Sequence, residues 1–105
     1  MSYALANKVG WGWIIDLYEK DIDMYDVSDA FEIGYNMDCS DVYEAVIFLK
    51  HARSDDGEVI DATDLVSNKP SLLEVSNAYT KIEADCPEVF KHLGAYGFYS
   101  VSNYS

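Results

Sequence analysis

The chain has 105 residues, half of them hydrophobic, and a formal net charge of -12 from 19 acidic and 7 basic residues. This length accommodates one acidic domain, residues 1–105, and the hydrophobic fraction predicts a folded core and not a disordered chain. The charge argues against direct binding of nucleic acid, because a polyanion is repelled by such a surface.

The first predicted element is a helix from about residue 11 toward residue 21 or a little beyond. Apolar residues recur at helical spacing from Trp11 to Tyr25. Ser28 is a candidate N-cap for a short second helix that ends before Gly34. We expect the two helices to follow each other closely along the chain.

The third predicted helix covers roughly residues 42–53. Asp41 and Glu44 have the spacing of a capping box at its start. The segment is apolar on nearly all sides, which predicts a central, buried helix. A short strand is expected at residues 58–61, after a turn at 54–57.

A second capping box, Ser71 with Glu74, predicts a further helix. Its apolar face is expected to carry Leu72, Val75, Tyr79 and Ile82. Residues 85–88 predict one more short helix, with proline in its first turn and Gly94 closing it. Residues 96–104 alternate aromatic or apolar with small polar residues, so they are either an edge strand pairing with 58–61 or a loose tail.

These elements predict a mainly α, single-domain fold of about four or five short helices. The alternative is an α+β fold with a minor two-stranded sheet from residues 58–61 and 96–102. The two cysteines, Cys39 and Cys86, have no C-x-x-C spacing. A disulfide between them is one alternative, and two buried free thiols are the favoured one. No signal peptide or membrane-spanning run is evident, so we expect a soluble protein of the host cytoplasm without membrane contact.

The charge imbalance lies in one part of the sequence. Residues 16–64 hold fifteen acidic residues, eleven of them Asp, and three basic ones, whereas the remainder holds four of each. A general pressure for solubility would spread charge more evenly, so the asymmetry predicts an acidic binding face. The residues expected on it are Asp16, Glu19, Asp21, Asp23, Asp26, Asp29, Glu32, Asp38, Asp41, Asp55 and Asp56.

If the first helix continues past residue 21, Asp16, Glu19, Asp23 and Asp26 follow one stripe of it. Steps of three and four residues rise by roughly 4.5 to 6 Å, comparable with about 3.4 Å of duplex axis per phosphate. Such a row could occupy a groove made for DNA or RNA. Four tyrosines lie in the same segment, and any that reach the surface could contact arginine side chains of a partner: Tyr18, Tyr25, Tyr35 and Tyr43.

Recognised catalytic and metal-binding patterns are not found in the sequence. Residues 21–32 place carboxylates at four positions of a calcium-loop template, but Asp26 stands where the template needs glycine. His51 and His92 lack zinc-type spacing and are expected near helix C-termini. We therefore expect no enzyme activity, no bound metal and no cofactor.

The sequence therefore predicts an acidic protein-binding inhibitor that blocks the DNA or RNA site of a basic protein, such as a nuclease or effector complex. In size and charge the chain is similar to DNA-mimic proteins such as phage anti-restriction and anti-CRISPR inhibitors, although no motif assigns it to one family. The alternative is an immunity protein or antitoxin that neutralises a basic toxin. A calcium-binding or scaffold domain is a third hypothesis.

Overall fold

A four-stranded antiparallel sheet forms the centre of the protein. The computed structural model describes residues 5–18, 20–38, 41–54 and 60–104. The strands, in the spatial order β2-β3-β1-β4, are β1 (Leu5–Asp16), β2 (Glu32–Asp38), β3 (Asp41–Ser54) and β4 (Leu93–Tyr104). The helices described are α1 (Tyr25–Ser28), α2 (Thr63–Ser67), α3 (Leu72–Asp85) and α4 (Pro87–Phe90).

The prediction of a mainly helical fold is wrong, because the first and third predicted helices are the two central strands, β1 and β3. Alternate residues of β3 enter two different cores: Ala45 and Ile47 on one face, Val46 and Phe48 on the other. A strand that is buried on both faces has a continuous apolar run. Apolar periodicity alone does not distinguish such a run from a buried helix.

The minor elements also differ from the prediction. Helix α1 ends at Ser28, which was expected to start a helix, and Gly34 lies within β2. Residues 60 and 61 are not in a strand, and residues 58 and 59 lie outside the described residues. Of the two alternatives for residues 96–104, the strand is present, as part of β4, but it pairs with β1 and not with 58–61.

One face of the sheet is covered by helices. Trp13 and Ile15 of β1 pack there with Val27 of α1, Ile82 of α3 and Val89 of α4, all of them buried. The capping box of α3 is confirmed: Ser71 Oγ accepts from the Glu74 amide at 3.1 Å, and Glu74 Oε1 accepts from the Ser71 amide at 3.3 Å. The buried face of α3 carries Ala78 and Ile82, whereas Leu72, predicted to be on it, is 90% exposed.

The opposite face of the sheet is concave and holds a smaller core of Val46, Phe48 and Val101. The two edge strands approach each other across it, since a β-carbon at Gly34 of β2 would lie 3.1 Å from Val101 Cβ of β4. Gly34 therefore permits the curl of the sheet. Within the described part of the chain, no helix is long and apolar enough to cross a membrane.

Candidate protein-binding surface

Residues 17–31 join β1 to β2, and we call them the acidic connection. Met24 and Val27 are buried in the core beneath the helices, and Ile22 and Phe31 pack against the same core. Because these apolar residues hold the backbone down, the acidic residues between them are directed to solvent. Among the residues of the acidic connection that the structure describes, the exposed carboxylates are those of Asp21, Asp23, Asp26 and Asp29.

Short side chains allow the carboxylates to shape the backbone that carries them. Asp16 Oδ1 accepts from the Tyr18 amide at 2.9 Å, and Asp23 Oδ1 accepts from the Tyr25 amide at 2.9 Å. These are Asx-turn hydrogen bonds, which a longer glutamate side chain forms less readily. The Tyr18 amide and the Lys20 ammonium lower the pKa of the Asp16 carboxyl. Both aspartates are therefore held at fixed positions and Asp16 is ionised at neutral pH.

The predicted helical row of carboxylates does not exist. Asp16 ends strand β1, Asp23 lies in the loop before α1, and Asp26 lies in α1. Glu19 lies outside the described residues. The regular spacing that suggested a match to phosphates required a continuous helix. The described residues form no such helix here, so the predicted match is wrong.

The remaining predicted residues are attached to different ends of the sheet. Asp38 and Asp41 lie opposite each other at the turn between β2 and β3, and nothing is described of their side chains. Asp55 and Asp56 lie outside the described residues. The residue before them, Ser54, pairs with Asn7, whereas Asp16 pairs with Glu44 at the other end of β1 and β3. At about 3.3 Å per strand residue, these two ends are roughly 30 Å apart.

Glu32 is the first residue after the acidic connection, and its negative charge is balanced by Lys8. Its carboxylate lies 2.7 Å from Lys8 Nζ, which also donates to the Ile33 carbonyl at 2.9 Å. The hydrogen bond from Lys8 holds the pKa of Glu32 below its ordinary value, and the charges of His51 and Arg53 act in the same direction. Glu32 therefore ties β2 to β1 across the concave face and contributes less to a free acidic surface.

Replacing Lys8 with methionine is expected to raise the pKa of Glu32 toward the ordinary value of 4.5. In the unmodified protein the ionised Glu32 stabilises the fold above that value, and the stabilisation is lost as the pH falls through the lower folded-state pKa. An NMR titration of the Glu32 side-chain carboxyl carbon in both proteins measures the difference. Equal midpoints would show that Lys8 does not interact with Glu32 in solution.

Three tyrosines reach the surface among the carboxylates. Tyr18 is 64% exposed, Tyr25 is 71% exposed and Tyr43 is 38% exposed. The Leu17 amide donates to the Tyr43 carbonyl at 2.9 Å, which brings β3 beside the start of the acidic connection. Tyr35 is partly buried, and burial raises its pKa, with a further contribution from the charge of Asp23. Sequence patterns indicated these tyrosines, but their exposure depends on the tertiary packing.

The chemistry of metals and thiols does not account for this surface. Helix α1 occupies the middle of the calcium-loop template at residues 21–32. Among the described residues, no group of three or more His, Cys, Asp or Glu side chains is arranged to hold a metal ion. Cys86 is a buried free thiol whose pKa is raised by burial and by the charges of Asp26 and Asp85, which makes it a poor nucleophile; Cys39 lies outside the described residues.

The histidines are placed differently from each other. His51 lies in β3, so its predicted position at a helix C-terminus is wrong, whereas His92 follows α4 closely, near a helix end as expected. Comparison with known proteins finds no family model, no curated protein and no solved structure that matches the chain. The charge and geometry of the acidic connection are therefore the features that indicate a function.

Proposed function

We propose that the protein is an acidic inhibitor that binds a basic nucleic-acid-binding protein and blocks its DNA or RNA site. One observation carries this proposal. Among the described residues, none of the four exposed carboxylates of the acidic connection forms an ion pair. Four other carboxylates each pair with a lysine, in the pairs Asp16–Lys20, Glu32–Lys8, Asp85–Lys81 and Glu88–Lys91.

The unpaired carboxylates are a source of repulsion in the free protein. Like charges on one short, anchored segment oppose folding of the segment, and no ion pair among the described residues offsets the charges of these four aspartates. A basic partner removes this repulsion on binding, so complementary charge contributes to both the rate of association and the choice of partner. Sites that bind nucleic acid are the basic surfaces most complementary to such a segment, because they are built to neutralise phosphates. In this proposal the acidic connection competes with nucleic acid through its density of negative charge, and not through a regular row of carboxylates.

Capture from a host lysate on the immobilised protein tests the proposal. We expect the bound protein, identified by mass spectrometry, to bind nucleic acid, to elute as NaCl is raised, and to be displaced by duplex DNA or RNA at constant ionic strength. An uncharged dextran at equal mass concentration is the control for nonspecific displacement. A partner that is held at high salt and is not displaced by either nucleic acid would contradict the proposal.

The alternative, an immunity protein or antitoxin, is favoured by the exposed rings of Tyr18, Tyr25 and Tyr43. A phosphodiester backbone has no counterpart of these rings, whereas tyrosine is enriched at protein–protein interfaces. The two functions differ in one measurable property. A complex that has lost catalytic activity but still binds its nucleic acid would identify the alternative, and a complex that no longer binds nucleic acid supports the first proposal.

A further inference from the structure

A depression of about 440 Å³ lies between the acidic connection and the β2–β3 hairpin. We call it the tyrosine pocket. This volume is within the usual range for pockets that hold small groups, roughly 300 to 1,000 Å³. The lining residues that bear on its chemistry are Lys20, Asp23, Met24, Tyr25, Tyr35 and Val42.

The tyrosine pocket combines aromatic and aliphatic walls with one uncompensated carboxylate. Tyr25 and Tyr35 contribute the aromatic rings, and Met24 and Val42 contribute apolar surface. Asp23 Oδ1 is occupied by the Tyr25 amide, whereas Oδ2 has no hydrogen-bond partner within the described residues. The carboxylate is thus fixed at the pocket and retains an oxygen for an incoming donor.

Lys20, the cation among the described lining residues, pairs with a carboxylate outside the pocket. Lys20 Nζ lies 3.2 Å from Asp16 Oδ2, in an exposed ion pair outside the set of pocket residues. Asp23 and Tyr35 line the same pocket. Burial raises the pKa of Tyr35, and the charge of Asp23 adds to this effect. Because Asp16 balances the charge of Lys20, the charge of Asp23 is left uncompensated beside the aromatic rings.

We infer that the tyrosine pocket binds an arginine side chain of the partner, with the guanidinium at Asp23 and against the ring of Tyr25 or Tyr35. The inference rests on the proposed function, since it names the group that a basic partner inserts. A planar guanidinium both pairs with a carboxylate and stacks on an aromatic face, and it is less strongly hydrated than an ammonium. The aliphatic stem of arginine covers the apolar surface of Met24 and Val42. Lysine also pairs with a carboxylate, but its ammonium is more strongly hydrated and has no planar face to stack on a ring.

The test is a titration of the isotope-labelled full chain by NMR with the peptides acetyl-Gly-Arg-Gly-amide and acetyl-Gly-Lys-Gly-amide at one ionic strength. We expect the arginine peptide to bind roughly threefold more tightly than the lysine peptide, as stacking on exposed rings predicts. The shifted amides are expected to belong to residues that line the tyrosine pocket. Peptides are used because they report on the pocket without the partner.

Two variants and one matched control locate the binding. Asp23→Asn keeps an oxygen that accepts the Tyr25 amide while removing the charge, and Tyr25→Leu removes the ring but keeps an apolar side chain. Each variant is expected to weaken binding of the arginine peptide several-fold, while its amide spectrum shows an intact fold. Asp29→Asn removes one negative charge from the acidic connection at a residue outside the pocket lining. We expect this variant to bind the arginine peptide with the same affinity as the unmodified protein.

Three results would overturn the inference: equal affinity for the two peptides, an equal loss in Asp29→Asn and Asp23→Asn, or no shift with either peptide. The first two indicate diffuse attraction to negative charge. In those cases the tyrosine pocket is not an arginine site, but the inhibitor proposal stands. Failure of the inhibitor proposal is seen separately, in the capture and displacement experiment.

Discussion

Replacing the four exposed aspartates of the acidic connection with asparagine is expected to weaken binding of the basic partner about a hundredfold at physiological salt. The four are Asp21, Asp23, Asp26 and Asp29. Exposed interfacial charges contribute on the order of 0.5 to 1 kcal/mol each, and four of them together correspond to about two decades in Kd. The salt dependence of binding should fall as well, because fewer charges are screened. Surface plasmon resonance over a series of NaCl concentrations measures both effects.

A second quadruple variant with the same change in net charge is the control. It removes four exposed carboxylates outside the acidic connection, those of Asp61, Asp64, Glu83 and Glu88. We expect it to retain most of the affinity. An equal loss in both variants would show that total charge, and not the acidic connection, determines binding.

The variant of the acidic connection is also expected to unfold at the same temperature as the unmodified protein or at a higher one. Its four carboxylates form no ion pair among the described residues, so their removal reduces repulsion, and the asparagine oxygen at residue 23 still accepts the Tyr25 amide. Thermal unfolding followed by circular dichroism checks this. A lower unfolding temperature would mean that the aspartates support the fold, and the loss of affinity would then need another explanation.

Replacing Gly12 with alanine is expected to destabilise the protein by about 3 kcal/mol or more, which is a large part of the stability of a small domain. Gly12 lies at a register shift between β1 and β3, next to Trp11. A β-carbon there would overlap the carbonyl oxygen of Ile47 on β3, and a backbone carbonyl in a sheet moves only if the strand moves. Urea unfolding, analysed for both midpoint and slope, measures the loss.

Gly97→Ala is the matched control for this prediction. The atoms nearest to a β-carbon at Gly97 belong to the side chain of Tyr99, the closest of them at 3.5 Å, which is ordinary van der Waals contact. We expect the free energy of unfolding to change by less than about 1 kcal/mol. If the two alanine variants unfold at similar urea concentrations, the close approach of β1 and β3 at Gly12 does not exist in solution.

The elements that sequence predicted correctly are those specified by local hydrogen bonds or simple alternation. The Ser71–Glu74 capping box joins groups three residues apart, so its residue types identify the start of α3 without any tertiary information. Alternation along residues 96–104 left two alternatives, an edge strand or a loose tail, and the strand is the one present, as part of β4. The pairing of β4 with β1 could not be predicted from sequence, because strand pairing depends on the whole topology.

The central strands were misassigned for a specific physical reason. In β3 the consecutive residues Ala45, Val46, Ile47 and Phe48 are all buried, since helices cover one face and the curled sheet covers the other. Such a run has no period of two. The enrichment of β-branched and aromatic residues in β1 and β3 was the signal that favoured strands.

The candidate surface was predicted in part. The count of acidic residues located the segment that contains the acidic connection, and the aspartate-rich composition agrees with the Asx turns at Asp16 and Asp23. The compensation of Glu32 by Lys8 was not predictable, because the two residues are distant in sequence and meet across the concave face. The exposure of Tyr18 and Tyr25 likewise depends on the depth at which Ile22 and Met24 are packed.

The position of β1 in the sheet has a consequence for how the binding surface forms in time. Strand β1 lies between β3 and β4, and its pairing with β4 places Leu5 opposite Tyr104. Contacts between such distant residues make folding slow, because a long loop must close before they form. During synthesis, β1 has no complete set of neighbours until β4 leaves the ribosome, and the same is true of the core under α3 and α4 that anchors Met24 and Val27. We therefore expect the acidic connection to acquire its binding shape only after β4 has been synthesised and has paired with β1.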